Sequence, residues 1–412
     1  MSGLAQGTWD TGAALAQHNE RKLFVAAQPL GWAIAQWAMK HHPDVWRVPG
    51  LGYVVSGAEV AREILLDGET YTKTGPRCTG VLMTQVMGEY ALLNMDGPPH
   101  IALRRKIQDL FTPKYVRTVT DQVLGELAAG LHDDLAAGRE VDVARFAQAF
   151  TGTMLCHMTG MQLEGEALKR RALELYDVGA RLAALVPLRV RAVNERTVQK
   201  ARALFARLVD GTDEAYRSGS PDTIPGRMRE IGLSLEEARG VIGILMLAGT
   251  ETTSTAAARI VGLLCDTGQW GRLRQDPELL DSAIDEGLRI VTPVPAFTRT
   301  IARDHELRGV KLKANQLLLG FMTNACRDPR VIDDGDHFDI GREMPHQLRH
   351  LWFGAGPHFC LGYNLAKREL SMVLEAIMRL EHKVEVVDRR AARGVLLPTY
   401  ERLVIRMKGT GQ

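Results

Sequence analysis

Apolar residues recur at three- and four-residue spacing along most of the chain, which predicts a mainly α-helical protein. Amphipathic helices are expected over 58–66, 100–110, 116–135, 143–158, 166–185 and 189–216, with Pro187 closing the fifth. Residues 1–45 read as a lead-in, polar at first and then forming a short helix around Trp32 to Lys40. Ser234 and Glu237 have the spacing of a capping box and open a helix reaching about Asp266. From Val241 to Gly249 that helix is apolar on every side, the pattern of a helix crossing a protein's middle. Asp276 and Pro277 open the next helix, and Pro293-Val294-Pro295 stops it. A last helix is expected over 361–380.

Strand patterns are fewer. Tyr53 to Val55, several short runs in 296–324, Val384 to Val387 and Leu403 to Arg406 predict a minor β region concentrated late. Residues 71–94 read as a long irregular segment with few charges, and Val81, Leu82, Met83, Val86 and Met87 suit a pocket wall. No internal repeat interrupts the pattern, and one domain over 1–412 is expected.

Composition narrows the function classes. The formal net charge of +2 gives no reason to expect a nucleic acid partner. The five cysteines are dispersed without a CxxC pair, which argues against a disulfide framework or structural zinc and for a reducing cytoplasm. No signal peptide pattern and no run of about 18 apolar residues is present, so a soluble, cytoplasmic chain with neither a membrane span nor a membrane partner is expected.

One cysteine has a distinctive setting. Cys360 lies in Phe353-Gly-Ala-Gly-Pro-His-Phe-Cys360-Leu-Gly362, directly before the last helix. A thiolate at a helix N-terminus is favoured by the dipole and by free N–H groups, a suitable way to present sulfur to a metal. A buried, inert cysteine is the ordinary alternative. Glu251 and Thr252 interrupt the apolar central helix, where a charge is costly unless paired or used. Glu286 and Arg289 stand one helical turn apart, as do His100 and Arg104.

Taken in order, these motifs resemble the cytochrome P450 family, in particular its bacterial haem-thiolate monooxygenases. The resemblance rests on Phe353, Gly356, Cys360 and Gly362; on Ala248-Gly249-Thr250-Glu251-Thr252-Thr253; on Glu286-x-x-Arg289; and on His100-x-x-x-Arg104. It covers roughly residues 50–406. Arg299-Thr300-Ile301 and Asn324-Ala325-Cys326-Arg327-Asp328-Pro329 match the family pattern only in part.

The resemblance implies the cytochrome P450 fold, with a long central helix over a haem and small sheets. The implied cofactor is haem b (heme, iron protoporphyrin IX), with Cys360 as the axial metal ligand. Phe353, Gly354 and Gly362 would form the cradle, Ala248 would border the haem, and His100, Arg104, Arg299 and His358 would meet its propionates. Glu251 and Thr252 would be catalytic, moving protons toward dioxygen. Thr252 also has a purely structural use, a bond to the carbonyl four residues back. Glu286, Arg289 and Arg342 are implied to brace the cysteine loop.

The implied reaction is oxidation of a small to medium apolar substrate by O2, with two electrons from NAD(P)H through a ferredoxin and its reductase, the chain acting as a monomer. Arg105, Lys106, Lys114, Lys367 and Arg368 would receive the acidic ferredoxin, unless they are plain surface charge. The expected substrate pocket comprises Leu82, Met83, Val86, Leu245, Ala248, Val294, Phe297 and Leu397. Two alternatives are a peroxygenase, against which the Glu251-Thr252 pair argues, and a non-catalytic haem sensor of gas or ligand.

Overall fold

The computed structural model describes residues 3–41, 44–75, 78, 80–161, 163–185, 194–221 and 223–408. Helices dominate, and the longest, Leu235–Thr267, runs through the middle. Its capping box is formed: Glu237 N donates to Ser234 Oγ at 3.1 Å, and Ser234 N donates to a Glu237 carboxylate oxygen at 2.8 Å. Gly268, in the left-handed region at φ 68°, ends it. The helices Val143–Met158, Gly165–Ala183, Leu280–Val291 and Tyr363–Met378 pack around it. By length and apolarity it is comparable with a membrane span, but the surrounding helices bury it.

Helices over 58–66 and 143–158 fall where their periodicity places them. Four regions differ. Residues 1–45 are no mere lead-in, because α1 (Gly3–Ala27) and α2 (Pro29–His41) fill most of them. The reason lies far away in sequence: the Glu20 carboxylate is buried against Arg259 of the central helix, and Asn19 donates to Asp266 at 2.8 Å. Residues 71–94 contain a short strand, a helix over Gly80–Met87 and a 3-10 turn over Leu92–Asn94. The apolar run read as loop is helical because it packs on the helix Glu195–Leu208 and on the central helix. The expected helix 189–216 is two, Glu195–Leu208 and Thr212–Ser218. Asn194 caps the first, and Gly211, at φ 84°, separates them. Pro187 and residues 189–193 lie outside the described residues. Finally, the helix expected over 100–110 begins earlier and is shorter at its end: it runs Gly97–Ile107, with proline in its first turn, and Gln108–Phe111 is a 3-10 turn.

Sheet is minor but not only late. β1 (Val45–Val48), β2 (Gly52–Val55) and β3 (Tyr71–Thr72) join β5 (Ala296–Ile301) and β8 (Leu317–Phe321) in the order β1-β2-β8-β5-β3. β2 falls on the expected Tyr53 to Val55, whereas β1 and β3 carry too short a pattern to read, and long-range pairing such as Tyr53 with Leu318 makes the sheet. β9 (Val384–Ala391) and β10 (Tyr400–Met407) pair antiparallel, with β4 (Val141–Asp142) on the far edge. β6 (His305–Leu307) and β7 (Val310–Leu312) form a separate hairpin.

Candidate active site

The cysteine loop closes on itself. Cys360 N donates to Phe353 O at 3.0 Å, and Phe359 N donates to Gly356 O at 3.0 Å. Gly356 sits at φ 65°, and a Cβ there would stand 2.4 Å from Leu65 O, so only glycine fits. Gly354 is also left-handed, at φ 84°. The Phe353 ring meets Tyr363 edge-on at 5.0 Å, seating the loop on the following helix. Cys360 keeps partial exposure inside this loop. Its enclosed surroundings push the thiol up to about 11, while the Gly362 N–H and the Arg104 charge pull the other way. Arg104 ties the early helix to the loop by donating to Phe359 O at 2.6 Å.

A second group gathers cations. The rings of His100 and His358 stack at 4.3 Å. His358 Nε2 lies 3.2 Å from Asp96 Oδ1, and Asp96 Oδ2 accepts from Lys73 N at 2.7 Å and Thr74 N at 2.9 Å. Arg299 is buried on β5, with one nitrogen donating to Thr298 O at 2.8 Å. Burial, helped by the neighbouring positive charges, lowers His358 to about 3, His100 to about 4 and Lys73 to about 7. Arg299 is lowered by burial as well. The buried His100 Nδ1 has no partner. Four basic side chains, His100, His358, Lys73 and Arg299, thus gather around one carboxylate, Asp96; the two histidines are neutral at pH 7, and Arg299, Lys73 and the nearby Arg104 leave the cluster short of negative charge. That shortage, with an unsatisfied ring nitrogen, fits a doubly carboxylated group such as the two propionates of haem.

Asp96 and Lys73 were not singled out from sequence as site residues. Lys73 carries no local signal, since its backbone is held by Asp96 from 23 residues away.

The central helix supplies the third group. Along a mostly buried stretch, Leu245, Gly249 and Thr252, with Leu247 beside them, are partly exposed and Ala248 is exposed. These positions form one stripe at helical spacing and leave open space beside the helix. Thr252 Oγ1 donates to Ala248 O at 2.6 Å, so the structural use of this threonine is realised. Its lone pairs stay available to accept. Glu251 is buried, and loss of water pushes its carboxyl up to about 7. Thr253 turns away, toward the buried Glu369 of the helix Tyr363–Met378. Burial raises Glu369 to about 8, a second acid that in the sequence is one polar residue of an amphipathic helix with no local signal.

Behind the loop, Glu286 holds Arg289 through two bonds, at 2.7 and 2.8 Å, and accepts from Arg342 at 3.1 Å. All three expected members of this network meet. Among the expected pocket residues, Leu82's side chain lies outside the described residues. Leu397 and Val86 are buried, while Val294 is exposed. The half-buried Phe297 lies against Gly320, where a Cβ would stand 2.2 Å from the far end of the ring.

Comparison with known proteins agrees with this geometry. Residues 272–403 match the family model described as Cytochrome P450. Cytochrome P450 126 of Mycobacterium tuberculosis is 33% identical over 359 residues, covering 84% of this chain and 85% of the relative. The chain belongs to the cytochrome P450 family. Cytochrome P450 105A3 of Streptomyces carbophilus is 28% identical, over 82% of this chain and 83% of its own. The P450 shares its fold with P450BioI, solved with an acyl carrier protein bearing hexadec-9Z-enoic acid (TM-score 0.78, 21% identity, 92% of this chain and 98% of that one). CxnD, an enzyme for C–S bond formation in chuangxinmycin biosynthesis, aligns with a TM-score of 0.76 at 25% identity, covering 93% and 96%. The protein is accordingly an oxidoreductase of the monooxygenase class that uses haem iron.

Proposed function

We propose that this P450 oxidises a small to medium apolar substrate with O2, taking two electrons from NAD(P)H through a separate ferredoxin and reductase. The observation that carries this reading is the exposed stripe Leu245, Ala248, Gly249 and Thr252 on a buried helix, flanked by the buried acid Glu251. An apolar face beside one acid and one hydroxyl suits a site that must exclude water and still deliver protons.

Haem b would be held by Cys360, in a cradle made by Phe353, Gly354 and Gly362. His100, Arg104, Arg299 and His358 would pair with its propionates, and Lys73 joins them. When bound, it supplies activation of dioxygen. The protein's own part is proton management. Glu251, half protonated near neutral pH, takes protons from solvent. Thr252, fixed by Ala248 O, accepts at the cavity. Of the five cations suggested for ferredoxin, three are engaged: Lys106 with Glu237, Lys367 with Asp281 and Asp285, and Arg368 with Asp121 and Glu375. Arg105 and Lys114 are the exposed pair left for an acidic partner.

The reading is tested by supplying ferredoxin, reductase and NADH and measuring substrate-dependent NADH consumption against product. A haem sensor would show no consumption linked to product. A peroxygenase would turn over on peroxide alone.

Thr252→Ala should keep its haem but lose product per NADH by at least about tenfold, with peroxide released instead. Undiminished coupling would remove the proton-delivery role. The pH dependence follows from Glu251. Its folded value lies above the usual 4.5, so the folded state binds this proton more tightly than the unfolded chain does. That contribution to stability is complete below 4.5 and is lost as pH rises through about 7. Proton-limited turnover should fall over the same upper limb. Glu251→Gln should flatten the limb near pH 7, and an unchanged profile would move the proton donor elsewhere.

A further inference from the structure

Residues 11–41 contain a single acidic residue, Glu20, and it is buried against Arg259. The exposed faces of this segment therefore carry no negative charge. On α1, His18, Arg21, Lys22 and Val25 recur at helical spacing and face solvent. On α2, Leu30, Ala33, Ile34 and Trp37 form a second exposed stripe, with Leu30 74% and Trp37 50% accessible. Five of the eleven large apolar side chains that are exposed among the described residues lie on these two helices: Leu15, Val25, Leu30, Ile34 and Trp37. Such clustering marks an interaction surface rather than scattered exposure.

The turn of the β9–β10 hairpin extends the basic face. Gly394 N donates to Ala26 O at 3.2 Å, and Gln28 donates to Val395 O at 2.9 Å, which docks the turn at the α1–α2 junction. Between α1 and the hairpin runs an open groove of about 1290 Å³. Arg389 and Arg390 on its wall are neutralised by Asp266 and Glu401. Arg21, Lys22 and Arg393 are exposed and have no ion-pair partner among the described residues.

We propose that α1, α2 and the hairpin turn form a peripheral docking face for an anionic lipid surface. Leu30, Ile34 and Trp37 enter the boundary between headgroups and acyl chains, and Arg21, Lys22 and Arg393 meet the headgroup charge. The cations of α1 and the hairpin turn and the exposed Leu, Ile and Trp stripe of α2 together have the composition of an interfacial surface. The absence of any exposed acidic side chain over 11–41 complements an anionic surface, which favours lipid headgroups as the occupant. The same hairpin reaches the interior: Arg259 donates to Pro398 O at 3.0 Å, and Thr255 bonds Thr399 at 3.2 Å. Docking would therefore place a bilayer beside a segment tied to the central helix. The proposal stands independently of the proton relay.

Flotation of the haem-loaded full chain with vesicles tests it. Vesicles of phosphatidylcholine with about one-third phosphatidylglycerol should capture the protein, neutral phosphatidylcholine vesicles much less, and 0.5 M salt should release it. Arg21→Glu/Lys22→Glu/Arg393→Glu should weaken capture about a hundredfold or more. Leu30→Ser/Ile34→Ser should weaken it too, while both variants keep the haem spectrum and helical circular dichroism. Absence of capture, equal capture by neutral vesicles, or capture unaltered in both variants would overturn the proposal. So would a wild-type dimer in light scattering that Leu30→Ser/Ile34→Ser converts to monomer without any vesicle binding, since the stripe would then belong to a second copy. Loss of haem in one variant leaves the other, and the salt and lipid dependence of the wild type, to decide.

Discussion

Cys360→Ser is expected to bring monooxygenation below detection while the fold survives. The substitution changes one atom in a loop whose shape is set by other groups: the Cys360 N to Phe353 O bond, the left-handed Gly354 and Gly356, and the edge-on contact of Phe353 with Tyr363. None of these involves the sulfur. A hydroxyl ionises far less readily than a thiol and is a weaker donor of electron density, so it cannot serve as a strong anionic ligand at neutral pH. The Gly362 N–H and Arg104 favour negative charge on the side chain at this position, and with serine there is none to favour. The checks are the absorption band of the ferrous–carbonyl form, which should lose its thiolate-type red shift, and the urea midpoint, which should move little. A retained red shift would exclude Cys360 as the ligand.

The legibility of this site in the sequence depended on how local each signal was. Cys360 was legible because glycines, an aromatic and a histidine lie within ten residues of it. Glu251 was legible because a charge in an apolar helix is anomalous wherever the helix packs. Lys73, Asp96 and Glu369 were not. Each gains its character from a partner distant in sequence, and a lysine in a loop or a glutamate in an amphipathic helix looks ordinary until the fold buries it. The same distinction holds for the fold. The central helix announced itself by its capping box and unbroken apolar run. The N-terminal helix α1 did not, because its anchoring contact is Glu20 to Arg259, 239 residues away. Its weak apolar periodicity is the counterpart of the exposed face it leaves to solvent.

Glu286→Ala is expected to give the largest loss of stability of any single change discussed, about 3–5 kcal/mol. Glu286 and Arg289 are completely buried. One carboxylate oxygen of Glu286 accepts from Arg289, Arg342 and the backbone N–H of Asp339, and the other accepts from Arg289. The remaining guanidinium donors go to Cys326 O, Gly335 O and His337 O from Arg289, and to Asp333 O and His337 O from Arg342. The carboxylate is thus the only negative charge among these groups, and the two arginines clamp the segment 326–342 that precedes the cysteine loop. Alanine would leave a fully buried guanidinium without a counter-charge, together with an unpaired N–H at Asp339. An uncompensated buried charge, rather than the lost bonds alone, sets the size of the effect. Glu286→Gln keeps an acceptor and the shape but loses the charge, so it should fall between wild type and alanine, at about 1–3 kcal/mol. Urea unfolding read by circular dichroism gives the order, and haem retained per protein reports whether the loosened segment still seats the cysteine loop. If alanine unfolds within about 1 kcal/mol of wild type, the network is not what holds the segment, and the bracing role passes to the backbone contacts of 326–342.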